Sequence, residues 1–136
     1  MTTLTQRIFE ANAPYSNPHQ GTNPRVLFVC TAGILRSPTA ARVAQEMFGW
    51  NTRSCGSNQH CAIIPLTVNL ILWADTIVFM NSYNYHEAIQ VFEPVGYDED
   101  IECKAVRLDI EDEYDYMQPA LVAELRKLLY NLKLKT

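Results

Sequence analysis

The sequence predicts an α/β fold, a three-layer sandwich in which a four-stranded parallel sheet is flanked by helices. Three observations lead there. Continuous apolar runs at residues 26–29 and 76–80 mark strands buried on both faces, as in parallel sheets. Other stretches repeat apolar residues three and four apart, which is helical spacing. Strand and helix alternate four times, a pattern that specifies a parallel sheet with right-handed crossovers.

Residues 2–11 can form only a marginal helix, and residues 12–24 are rich in Asn, Pro, Gly and Ser. Residues 1–23 therefore read as a flexible arm, and residues 24–136 as one domain. The first strand, Val26-Leu27-Phe28-Val29, runs directly into Cys30. Ser37 and Pro38 then suit the N-cap and first position of a helix. That helix carries Ala40, Val43, Ala44, Met47 and Phe48 on one face and stops at Gly49. A short second strand is expected over residues 52–55, followed by a polar loop through His60. Leu66, Leu70, Trp73 and Ala74 repeat the helical spacing before the strand at 76–80. Ser82 is placed to cap a third helix with Tyr85, Ala88, Ile89 and Phe92 inward. An acidic turn over residues 96–102 leads to a fourth strand near residues 104–108. The last helix starts near Pro119, with Leu121, Leu125, Leu128, Leu129 and Leu132 in one stripe and Lys127, Lys133 and Lys135 near its negative end.

The 136 residues carry a net charge of −4 and no basic tract, which argues against nucleic acid or an anionic membrane as the main partner. The first residues lack the charged-then-apolar pattern of a signal peptide. The longest apolar region, residues 63–80, is broken by Pro65, Asn69 and Asp75, so a membrane span is not expected. A cytoplasmic location follows as the expectation, with Cys30, Cys55, Cys61 and Cys103 as thiols. No Cys-x2-Cys pair occurs and His19, His60 and His86 are scattered, so no metal site is expected.

The chemistry concentrates in residues 30–37. A strand, a tight loop and a helix N-terminus make an anion site, because free backbone N–H groups and the helix dipole converge there. The same field stabilises a thiolate, which places Cys30 as a nucleophile facing a bound anion. The loop from Thr31 through Ala32, Gly33, Ile34 and Leu35 to Arg36 can wrap phosphate oxygens with its N–H groups. Gly33 supplies the positive φ that such a loop needs. Arg36 can grip two oxygens in a bidentate fork, and Ser37 can donate its hydroxyl to the Cys30 sulfur. The loop from Asp109 to Tyr116 belongs at the same edge of the sheet. Asp109, Asp112 and Asp115 each qualify there as proton donor to a leaving oxygen. Tyr114 and Tyr116 can stack on an aromatic substrate.

These motifs resemble a known family. Val-Leu-Phe-Val-Cys-x5-Arg-Ser-Pro at residues 26–38 looks like the start of the low-molecular-weight protein tyrosine phosphatases. The resemblance spans about residues 25–132 and is closest to a compact bacterial and phage branch of predicted tyrosine phosphatases. In that branch Arg-Ser-Pro-Thr-Ala opens the first helix, Trp-Ala-Asp ends the second, and Leu-Asp-Ile-x-Asp-x-Tyr-x-Tyr-Met follows the last strand. Here those motifs fall on residues 36–40, 73–75 and 108–117. The resemblance implies hydrolysis of phosphotyrosine, in proteins or small aryl phosphates, through a cysteinyl-phosphate intermediate and without metal or cofactor. The family's Asp-Pro-Tyr acid loop falls on Asp112-Glu113-Tyr114, which picks Asp112 as the acid with Asp109 in reserve.

Two departures stand out. Gly33 occupies a position where the family usually has Asn, and Leu35 one where many members carry a second cysteine. Rival readings of the same scaffold are an anion-binding module without turnover, for which Gly33 speaks, and a thiol-dependent arsenate reductase relaying through Cys55 and Cys61. A phosphocysteine carrier is disfavoured by Arg36 and the acid loop, since a carrier retains its phosphate.

Overall fold

A computed structural model describes residues 23–31, 36–110 and 116–132. Four parallel strands form one sheet in the order β2-β1-β3-β4: β1 (Arg25–Cys30), β2 (Asn51–Gly56), β3 (Thr76–Phe79) and β4 (Ala105–Arg107). Helix α1 (Arg36–Phe48) joins β1 to β2, and α2 (Val68–Trp73) joins β2 to β3. Between β3 and β4 run α3 (Ser82–Phe92), a 3-10 turn (Glu93–Val95) and α4 (Asp98–Lys104). Helix α5 (Pro119–Tyr130) follows the sheet. This is the expected sandwich.

Parity along β1 divides the core. Val26, Phe28 and Cys30 face Ala40, Val43 and Ala44 of α1 and Leu121, Leu125 and Leu129 of α5. Leu27 and Val29 face the other way, toward Leu70 and Trp73, Ala88 and Phe92, and Ile101 on α4. Val26, Leu27, Phe28 and Val29 are all fully buried, which is what a continuous apolar run in a central parallel strand signifies. The register pairs Val26 with Thr52 and Thr76, and Val29 with Cys55 and Phe79.

The helix boundaries follow local chemistry. Gly49 ends α1 at φ +70 and donates its N–H to the Gln45 carbonyl, the left-handed stop that glycine adopts without strain. Thr67 caps α2 by accepting from the Leu70 N–H. The expected cap of α3, Ser82, is corrected to Asn81, whose side chain accepts from the Asn84 N–H. Helix α1 likewise begins one residue before the expected cap, so Ser37 and Pro38 lie in its first turn. The acidic stretch read as a turn is helix α4 from Asp98 onward. Only Ile101 of α4 is buried, so it lacks the apolar stripe that periodicity detects. Its three acids sit at the positive end and Lys104 at the negative end, which favours the helix electrostatically.

At the amino edge of the sheet Asp75 accepts from the Arg25 N–H at 3.0 Å and from the Arg25 guanidinium at 3.3 Å, tying the start of β1 to that of β3. Asn23 and Pro24 are already bonded to the domain, through Gly49 and Asn51. The marginal helix at residues 2–11 lies outside the described residues. Among the described residues no helix is long and apolar enough to cross a membrane.

Removing the ring at Phe28, buried at the centre of the α1/α5 core, leaves a cavity that close packing cannot collapse. Phe28→Ala is expected to lower unfolding stability by about 3–5 kcal/mol, measured by urea denaturation.

Candidate active site

The four strands converge at their carboxyl ends, and hydrogen bonds carry the alignment past the strands themselves. The Ser57 and Asn58 N–H groups donate to the Cys30 and Thr31 carbonyls at 2.8 and 3.0 Å. On the other side Met80 N–H donates to Val29, and Ile110 N–H donates to Met80. Cys30 therefore ends β1 with the continuations of β2 and β3 beside it. The order β2-β1-β3 makes this the place where successive connections leave in opposite directions, the usual binding crevice of open α/β sheets.

The Cys30 sulfur lies 3.0 Å from the Ser37 hydroxyl oxygen, and both residues are buried. The Ser37 oxygen is also 3.2 Å from the Cys55 carbonyl. A hydroxyl has one proton and two acceptor positions. With Cys30 as a thiol, S–H can donate to Ser37 while Ser37 donates to the carbonyl. With Cys30 as a thiolate, the serine proton must turn to the sulfur. Ser37 thus accommodates both charge states of the Cys30 sulfur. It does so from inside the first turn of a 13-residue helix.

Arg36, the first residue of α1, is almost wholly buried, at 1% exposure. One guanidinium nitrogen donates to the Ile110 carbonyl at 2.9 Å, and another lies 3.4 Å from the Thr31 hydroxyl oxygen. A desolvated, anchored guanidinium is a strong bidentate site for a tetrahedral oxyanion. The structure thus brings Cys30, Thr31, Arg36 and Ser37 together. Ala32, Gly33, Ile34 and Leu35 lie outside the described residues.

The acid loop begins at this centre, since Ile110 itself holds Arg36. Asp109 is exposed, between Leu108 and Ile110, which both pack in the α1/α5 core. Asp112, Tyr114 and Asp115 lie outside the described residues. Tyr116 is 47% exposed and its phenol hydrogen-bonds Arg42, which helps hold that guanidinium above its ordinary pKa. Arg42 is six residues beyond Arg36, roughly 9 Å along the helix axis. The next residue, Met117, donates its N–H to the Thr39 hydroxyl at 2.9 Å, fastening this end of the loop along α1.

Sequence reasoning missed Ser57, Asn81, Asn84 and Glu87. Asn84 is fully buried, and its amide donates to the Thr31 and Ser57 hydroxyls at 3.1 and 3.2 Å. Ser57 donates in turn to Glu87 at 2.6 Å. Asn81 caps α3 and its amide nitrogen lies 3.4 Å from the Ile110 carbonyl. The available signal was two asparagines at cap spacing directly after a buried strand, at the edge where Cys30 emerges.

The remaining cysteines separate by position. Cys55 pairs in register with Val29, so its side chain shares the face opposite Cys30. Burial, with Cys30 nearby, pushes the Cys55 thiol well above its ordinary pKa, and it stays neutral. A side chain on the wrong face of the sheet is poorly placed for a thiol relay from Cys30. Cys103 lies two residues before β4, at the opposite edge of the sheet. Cys61 and His60 are exposed in the loop after β2, where both backbone N–H groups donate to the Asn58 side chain. Among the described residues no group of three or more His, Cys, Asp or Glu side chains is arranged to hold a metal ion.

No protein-family model and no curated protein matches the chain. Solved structures do. The low-molecular-weight protein tyrosine phosphatase from T. tengcongensis superposes with a TM-score of 0.59 at 21% identity, over 81% of this chain and 100% of that one. Wzb of Vibrio vulnificus, in complex with benzylphosphonate, gives 0.58 at 21% identity over 76% of this chain and 90% of that one. The YwlE arginine phosphatase from Geobacillus stearothermophilus gives 0.53 at 20% identity over 78% and 85%. The chain thus has the low-molecular-weight phosphatase fold, the one its motifs implied.

Ser37→Ala removes the side-chain hydroxyl that lies 3.0 Å from the Cys30 sulfur. Iodoacetamide alkylation of Cys30 at neutral pH is expected to slow several-fold, followed by mass spectrometry of the labelled peptide.

Proposed function

We propose that this chain hydrolyses phosphate monoesters of aromatic alcohols, phosphotyrosine foremost, through a cysteinyl-phosphate intermediate. The observation that carries this reading is the Ser37 hydroxyl 3.0 Å from the Cys30 sulfur, beside the buried guanidinium of Arg36. The Cys30 thiolate attacks phosphorus in line with the departing phenolic oxygen. Arg36 and the loop N–H groups hold the equatorial oxygens as the phosphoryl group becomes planar, and Ser37 holds the sulfur as its charge changes. Asp112 protonates the leaving oxygen. As a carboxylate it then takes a proton from water, which attacks phosphorus and releases phosphate and the thiolate. Phosphoryl transfer of this kind is dominated by positioning and electrostatics.

Asp112 follows Ile110 by two residues, at most about 7 Å of extended chain. The Ile110 carbonyl accepts from Arg36, and the short span of chain from there supports Asp112 as the acid. The benzylphosphonate bound by Wzb and the tyrosine phosphatase with this fold support an aromatic substrate. The arginine phosphatase on the same scaffold makes phosphoarginine the discriminating competitor. Dependence on a reduced thiol suits a cytoplasmic setting.

The test is turnover of p-nitrophenyl phosphate and of phosphotyrosine and phosphoarginine peptides, with EDTA present. The native chain is expected to turn over the aryl substrates, and Cys30→Ser to abolish turnover. Activity surviving that substitution sinks the mechanism. Asp112→Asn is expected to lower kcat by about 10²–10³-fold, as loss of a general acid does, whereas Asp109→Asn leaves kcat unchanged. The reverse pattern transfers the acid role to Asp109.

A further inference from the structure

One carboxylate sets the direction of a hydrogen-bond chain that ends at the anion loop. It starts at Glu87 on α3, which takes the Ser57 hydroxyl at 2.6 Å on one oxygen and lies 3.4 Å from the Tyr83 hydroxyl with the other. An ionised carboxylate can only accept, so the single Ser57 proton points to Glu87. Ser57 must then accept from its other neighbour, Asn84, at 3.2 Å. That requirement fixes which way the Asn84 amide faces: its nitrogen, not its oxygen, lies between Ser57 and Thr31. This orientation leaves the buried Asn84 Oδ1 without a partner among the described residues, whereas a flipped amide would set two acceptor oxygens against each other at Ser57. The second amide proton of Asn84 therefore goes to the Thr31 oxygen at 3.1 Å.

Thr31 also has the Arg36 guanidinium nitrogen at 3.4 Å. Guanidinium and amide nitrogens only donate, so both acceptor positions of the Thr31 hydroxyl are occupied. Its own proton has to be given away, one residue after the nucleophile and against the guanidinium that grips the anion.

We propose that the Thr31 hydroxyl is a dedicated donor to the oxyanion bound over Cys30, and that Asn84 is the positioning residue that makes it so. This rests on an oxyanion binding at Cys30, as in the phosphatase reading, but not on that anion being turned over. The ligand class is a tetrahedral oxyanion with at least one unprotonated oxygen facing Thr31, such as a phosphate monoester or orthophosphate. Asn84 touches no substrate atom. Its full burial on the first turn of α3 holds the chain in place without relying on the loop it orients.

The experiment measures orthophosphate dissociation by calorimetry and kcat/KM for p-nitrophenyl phosphate, alongside thermal unfolding. The variants are Thr31→Val, Thr31→Ser, Asn84→Ala and the Thr31→Val/Asn84→Ala double substitution. Thr31→Val keeps the side-chain shape and is expected to weaken orthophosphate binding and kcat/KM by about tenfold, the usual effect of losing a hydrogen bond to a charged group. Thr31→Ser should restore both. Asn84→Ala should lose a similar factor, and the double variant little more than either single one, because both act through one hydroxyl. Thr31→Val binding and turning over like the native chain overturns the inference, whatever becomes of Asn84→Ala. Full additivity in the double variant overturns the positioning role of Asn84. A native chain that binds orthophosphate but turns nothing over defeats the phosphatase reading, and the orthophosphate arm alone then decides the inference.

Discussion

Everything in this molecule leans on the burial of β1. It is the strand with a parallel partner on each edge and a helical layer over each face, and its four apolar residues have no exposed surface. Such burial stabilises by about 1.5–3 kcal/mol per large side chain before the entropy of ordering is counted. More important is its discipline over register. A slip of one residue would turn every side chain to the other face. Cys30 would then leave the α1 side and join the layer that holds Cys55. The same apolar run that drives folding therefore aims Cys30 at the first turn of α1.

The two edges of the sheet divide the work. At the amino edge Asp75 and Arg25 lock the starts of β1 and β3 together, on the side away from Cys30. At the carboxyl edge the segments after all four strands are cross-linked by side chains instead. Thr31 follows β1, Ser57 follows β2, Asn81 and Asn84 follow β3, and Ile110 follows β4. Asn84 joins the first three segments, and Arg36 joins the first to the last. Polar groups buried this deeply are costly unless they are hydrogen-bonded, so the network holds the edge rigid only through the bonds it does make. Rigidity is what an oxyanion site requires, since donors that need no reorganisation stabilise developing charge most effectively.

The chemistry and the stability of this edge are consequently hard to separate. Arg36 is both the largest buried cation of the site and a strut between the first loop and the last. Ser37 serves the sulfur and also reaches the Cys55 carbonyl on β2. Substitutions here act on packing and on charge together, which is why conservative replacements are the informative ones.

The sequence alone was sufficient for the sheet, its parallel sense and the placing of Cys30 beside Arg36 and Ser37 at the end of β1. A fully apolar strand and a helix start seven residues apart admit few geometries, and Cys30, Arg36 and Ser37 could be named from spacing. It failed where the signal was not periodic. Helix α4 buries only Ile101 and reads as a turn, and the α3 cap reads as Ser82 although Asn81, equally suitable by composition, is the residue that caps it. Ser57, Asn84 and Glu87 could not be found that way, because their partnership joins segments 27 to 53 residues apart. Local propensity reaches only a turn or two along the chain. Which lone asparagine is buried against which hydroxyl, and which way its amide faces, was decided only when the strands came into register.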